Sequence, residues 1–114
     1  MAAMTTALEE FSNFGNSRVY SLSDHVAGRP SLVNQRRRVP TGSQTVLETV
    51  FEVVKTAVDS EGVVLPSKTV VEIRVKNHID AVPADVAAAY AIGLEIAGSD
   101  EGYDAVATQN WLLP

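Results

Sequence analysis

The sequence predicts an α+β domain: an N-terminal β-hairpin, an antiparallel meander sheet and two C-terminal helices. Three observations predict it. Apolar and polar residues alternate at period two through residues 45–58 and 68–79, the pattern of strands with distinct faces. From residue 83 the apolar positions recur at intervals of three and four, the helical spacing. The charge changes at the same place: all nine Lys and Arg lie between Arg18 and Lys76, whereas residues 77–114 hold six acids and no Lys or Arg. The basic stretch alternates like strands and the acidic stretch repeats like helices. Two differently built layers follow, and the basic one suits a polyanion.

The bulk numbers bound the answer. A chain of 114 residues is one domain, 1–114. With 46% apolar residues it can bury a core, but a small one, and domains of this size gain much from oligomerising. No Cys is present, which excludes a disulfide scaffold, a thiolate zinc site and a Cys nucleophile. No apolar run approaches the roughly 18 residues of a membrane span. The start, Met1 to Phe11, lacks a basic region and a long apolar run, so no signal peptide is expected and the cytosol is the default location. A net charge of −5 argues against an indiscriminate nucleic-acid binder.

The elements follow in order. Residues 4–11 and 17–23 read as a hairpin, 1–23, around Asn13-Phe14-Gly15-Asn16, where Gly and Asn accept the positive φ of a tight reversal. Gly28-Arg29-Pro30 is a break. Residues 31–39 form the next strand, ended by Pro40-Thr41-Gly42-Ser43. Residues 45–58 form the clearest strand, with Val46, Glu48, Val50, Glu52 and Val54 on one face and Leu47, Thr49, Phe51 and Val53 on the other. After the loop 59–67, residues 68–79 put Lys68, Val70, Glu72, Arg74, Lys76 and His78 on one face. The sheet therefore spans 31–79. If the last two strands pair, Glu48 and Glu52 share a side with Arg74 and Lys76.

Pro83 suits the first turn of a helix and Asp85 suits its positive end. Val86, Ala89, Tyr90, Gly93, Ile96 and Ala97 make one stripe, which Ile92 and Leu94 widen. A helix this apolar has neighbours on more than one side. Gly98 is a candidate C-terminal cap. Ser99 or Asp100 caps a second helix carrying Tyr103, Val106, Ala107 and Trp111, so the two helices span 83–111.

Few residues point to chemistry. His25 and His78 form no metal-binding repeat and read as surface imidazoles. No phosphate loop, nucleophile elbow or carboxylate cluster is present, so neither an enzyme nor a cofactor or metal is expected. The run Arg36-Arg37-Arg38 is the sharpest polar feature. In a strand, Arg36 and Arg38 point one way and Arg37 the other, either gripping phosphates or solvating a strand end. No aromatic is interleaved to stack bases. The loop 59–67 carries Val63, Val64 and Leu65 where a polar tip is expected, marking a contact surface or a loop folded onto its own core.

The hairpin, meander and two terminal helices, with Glu61-Gly62-Val63-Val64-Leu65-Pro66 before the last strand, resemble the coat proteins of single-stranded RNA bacteriophages, the levivirus-like family. The resemblance implies two chains joined edge to edge in one continuous sheet, with helices interlocked through Tyr90, Ile92, Ile96, Tyr103 and Trp111. It implies dimers that close an icosahedral shell. Gly62, Val63, Val64, Leu65 and Pro66 would make capsid contacts, with Pro66 fixing the loop's path. It implies an open sheet face that packages single-stranded genomic RNA through Arg36, Arg38, Lys68, Arg74 and Lys76, with His78 beside them, and that binds one stem-loop as a translational repressor. The expected location is the virion, assembled in the bacterial host cytoplasm, with no membrane partner. No residue matches the family's base-binding pocket. The alternative is a cytosolic dimeric α+β module binding a small ligand or protein. A third reading is a small hydrolase or isomerase using His78 with Glu72 or Asp80.

Overall fold

A computed structural model describes residues 3–113. The element order is β1 (Glu9–Phe14), β2 (Ser17–Ser21), β3 (Ser31–Arg38), β4 (Val46–Lys55), β5 (Thr69–His78), α1 (Pro83–Ala97) and α2 (Asp100–Thr108). The strands form one sheet in the order β1-β2-β3-β4-β5, an antiparallel meander in which every strand lies beside its sequence neighbour. The expected fold class is therefore the observed one. By compactness the chain falls into two units, one ending at Lys76 and the other beginning at Asn77, where the charge pattern also changes.

The hairpin is tighter and later than the sequence led one to expect. Its turn is the two residues Gly15-Asn16, with Asn13 opposite Arg18 and Phe14 opposite Ser17. Gly at the first central position is the preference of two-residue hairpin turns, because that position needs a positive φ, here 59°. Pairing spreads outward from this turn and ends at Glu9 opposite Ser21, since β2 has no further residues to offer. The expected strand at 4–8 therefore has no partner. A bulge between Glu10 and Ser12 breaks the ladder.

The longer strands pair in full. β3 and β4 run in unbroken register from Ser31 opposite Lys55 to Arg38 opposite Glu48. Beyond β4 the chain turns through an isolated bridge between Val58 and Val64. Asp59 organises this tip: its Oδ1 accepts the N–H groups of Glu61 and Val63, each at 2.9 Å. Gly62 sits at φ 81°, a conformation that strains any L side chain.

In the second unit Pro83 is the first residue of α1 and Asp85 stands in its first turn, as expected. Gly98 caps α1 at φ −88°, so it acts through its N–H rather than by a left-handed turn. Ser99 caps α2: its Oγ accepts the Gly102 N–H at 3.0 Å and donates to the Ile96 carbonyl at 2.7 Å. α2 stops at Thr108, three residues before the expected end at Trp111. Thr108 donates its hydroxyl to the Asp104 carbonyl, and Gln109 turns left-handed at φ 57°, which ends the helix. Trp111 thus lies beyond the helix and is 90% exposed. No described helix is long and apolar enough to cross a membrane.

Candidate nucleic-acid interface

Strand parity builds the site. The register sets Asn34 opposite Glu52, Arg36 opposite Val50 and Arg38 opposite Glu48. Alternate residues of a strand share a face, so Asn34, Arg36 and Arg38 stand with Glu48, Val50 and Glu52. From β5, Glu72, Arg74 and Lys76 join them, as the ion pairs show. Arg74 is the hub. Its Nη1 donates to Glu48 Oε1 at 2.7 Å, and its Nη2 and Nε donate to Glu72 Oε1 at 2.8 and 3.1 Å. Lys76 Nζ lies 3.8 Å from Glu48 Oε2. Arg36 Nη2 lies 3.8 Å from Glu52 and 3.9 Å from Glu72. Asn34 donates to Glu52 at 2.9 Å.

The face is thus a lattice of alternating sign and not a bare basic patch. Three cations, Arg36, Arg74 and Lys76, meet three carboxylates, Glu48, Glu52 and Glu72, and Arg38 stands on the same face without an ion pair among the described residues. Bonding to Glu72, with the nearby Glu48 charge, holds the Arg74 guanidinium even more firmly protonated. Solvated pairs of this kind contribute roughly 0–1 kcal/mol each. A carboxylate so weakly held exchanges readily for a phosphate, which accepts the same hydrogen bonds. The cross-strand pairing of Glu48 with Arg74 and Lys76 is the one the alternation foretold.

Of the residues marked for RNA, the structure brings Arg36, Arg74 and Lys76 into this lattice. Arg38 ends β3 and Lys68 precedes β5; both are exposed and neither makes an ion pair among the described residues. His78 ends β5, and its Nδ1 accepts the Asp80 N–H at 3.0 Å. His25 Nδ1 accepts the Ser31 N–H at 3.1 Å, and the Phe11 ring meets its imidazole edge-on at 5.3 Å. Both imidazoles are thus engaged by local backbone. Sequence reasoning missed Asn34, although its parity with Arg36 places it on the same face.

The loop and the helices carry the remaining marked residues. Val63, Val64 and Leu65 are exposed at the tip braced by Asp59. In α1, Tyr90 is half-buried while Ile92, Leu94 and Ile96 are exposed, and no residue of that helix is buried. Tyr103 of α2 is exposed as well. Among the described residues Val50 alone is a buried apolar side chain.

No family model matches the sequence, and no curated protein matches it. Solved structures do match. A chain from a virus-like particle of Wenzhou levi-like virus 4 superposes with a TM-score of 0.80 at 14% identity, over 97% of this chain and 82% of that one. One from a virus-like particle of Beihai levi-like virus 21 gives 0.77 at 12% identity, over 91% and 85%. A third, from a virus-like particle of bacteriophage GQ-907, gives 0.76 at 14% identity, over 97% and 87%. At such low identity the shared property is the path of the backbone. Across nearly its whole length, this chain therefore has the fold of chains from virus-like particles of levi-like viruses and bacteriophages.

Proposed function

We propose that the chain is the coat subunit of a single-stranded RNA phage: it dimerises, closes an icosahedral shell and packages RNA against the ionic sheet face. The observation that carries this reading is the fold match, which covers nearly all of this chain and most of each particle chain. The surface supports it. Exposed Ile92 and Ile96 of α1, Tyr103 of α2 and Trp111 beyond it would supply the apolar part of the dimer interface, and Gly62 to Pro66 the contacts between dimers.

RNA would bind by exchange. Phosphates replace Glu48, Glu52 and Glu72 as partners of Arg36, Arg74 and Lys76, with Arg38 and Lys68 adding unpaired charge. Affinity would then fall steeply with salt. Packaging needs only this backbone contact, whereas repression through one stem-loop also needs a pocket for an unpaired base.

Expression followed by negative-stain electron microscopy and the ratio of absorbance at 260 and 280 nm tests the reading. Uniform spheres with a nucleic-acid spectrum are expected. A chain that sediments as a monomer, with and without RNA, would overturn it.

A further inference from the structure

Arg18 and Arg37 lie on the sheet face opposite the ionic lattice. The register sets Ser17 opposite Arg36 and Arg18 opposite Gln35, so Arg18, Gln35 and Arg37 share the other face. With Gly15, Asn16 and Tyr20 they line a pocket of about 140 Å³. Arg37 is anchored there: its Nε donates to Asn16 Oδ1 at 3.1 Å and its backbone N–H to the Asn16 carbonyl at 2.9 Å. Tyr20 donates its hydroxyl to Gln35 Oε1 at 3.5 Å. Two guanidinium groups on neighbouring strands repel unless an anion sits between them. Among the described residues neither makes an ion pair; the pairs involve Lys55, His78 and the lattice cations. Glu10, opposite Tyr20 in register, pairs with no arginine either.

The same chain carries the opposite surplus. Asp100, Glu101 and Asp104 on the first turns of α2 are exposed and make no ion pair among the described residues. No Lys or Arg follows Lys76 to neutralise them. We propose that Arg18 and Arg37 receive the carboxylates at the start of α2 of a second copy of this chain. The inference rests on the self-association proposed above. The planar, rigid fork of Arg fits a carboxylate in two parallel hydrogen bonds. RNA fits less well, because the pocket lies on the face away from the lattice of exchangeable carboxylates. Each copy brings one receptor and one acidic helix start, so the two sites balance in any closed assembly.

Charge exchange between chains tests the assignment. One chain carries Arg18→Glu with Arg37→Glu, and the other carries Asp100→Lys with Asp104→Lys. Each is refolded alone and with the other, and assembled material is measured by sedimentation. Each alone should lose more than about tenfold of the parental assembly, and the mixture should regain it with both chains present. For chains that fail to fold by circular dichroism, the neutral pair Arg18→Gln with Arg37→Gln serves. Its association should be weaker than the parent's and less sensitive to salt. Parental assembly by either reversed chain alone, no recovery in the mixture, or a neutral pair matching the parent would overturn the proposal. So would an arginine variant that assembles normally with less RNA, since the occupant would then be phosphate. A parent chain that never associates removes the coat reading itself, and this inference with it.

Discussion

Gly102 is the tightest residue of the second unit. A Cβ built on it would stand 2.1 Å from the Ile96 carbonyl oxygen and 3.2 Å from that of Ala97. Backbone is on both sides of the clash, so no side chain can yield. Gly102→Ala should destabilise by about 1–3 kcal/mol, read as a lower midpoint in thermal unfolding. Gly93→Ala is the matched control, because its Cβ would meet nothing within 4 Å; in mid-helix it should be neutral or stabilise by up to about 1 kcal/mol. Asp24 is the residue with an acid signature. The Ser31 hydroxyl, short of full hydrogen-bond geometry, and then the Lys55 ammonium at 3.1 Å hold its carboxyl below the ordinary value of 3.8. A depressed pKa contributes stability above the unfolded value that is lost as pH falls through the folded one. Stability should therefore decline below about pH 4 less steeply in Asp24→Asn than in the parent. An identical acid limb in the variant would show that this carboxyl is not a contributor.

Among the elements, the sheet carries the question of RNA affinity. On the lattice face β3 places only cations, β4 only carboxylates and β5 both, so the carboxylates restrain as well as position the cations. Glu48 restrains two of them, Arg74 at 2.7 Å and Lys76 at 3.8 Å. Glu48→Gln keeps the side-chain shape, frees Lys76 and leaves Arg74 paired with Glu72 alone. Binding of a single-stranded RNA oligomer should tighten several-fold, and the salt slope should steepen by about one to two phosphates. Unchanged affinity and slope in a fluorescence titration would mean that RNA does not meet this face. The alternation of β4 and β5 made this lattice legible in the sequence, down to the pairing of Glu48. β3 was not legible in the same way, because Ser31 to Arg38 is polar at most positions and shows no period. Strand parity separated Arg36 and Arg38 from Arg37, but only the register with β4 set them on the face of Glu48 and Glu52.

For the whole molecule, the question is what completes so small a core. Among the described residues the one buried apolar side chain, Val50 at 2% exposure, is too small a core for a stable fold, although 46% of the sequence is apolar. On the coat reading, the missing core lies between copies. Stability should then depend on concentration: the unfolding midpoint should rise with protein concentration, as for a dimer with no stable folded monomer. A midpoint constant over a hundredfold dilution would contradict an obligate partner. Trp111→Ala should lower assembly if the tryptophan, 90% exposed in the single chain, packs in the interface.

Periodicity and charge layout by themselves determined the order of elements, the helix caps near Pro83 and Ser99, and the mixing of charges across β4 and β5. These are local properties, set by spacing along the chain and by the preferences of Gly, Pro, Ser and Asp for particular backbone conformations. The tertiary structure alone decided where β1 pairs, that α2 ends before Trp111, and which arginine of the Arg36-Arg37-Arg38 run joins the lattice. It also set Arg37 beside Arg18. Those outcomes depend on which residues stand opposite one another across strands, and a one-residue change of register reverses every side chain. No spacing within a single segment encodes that relation.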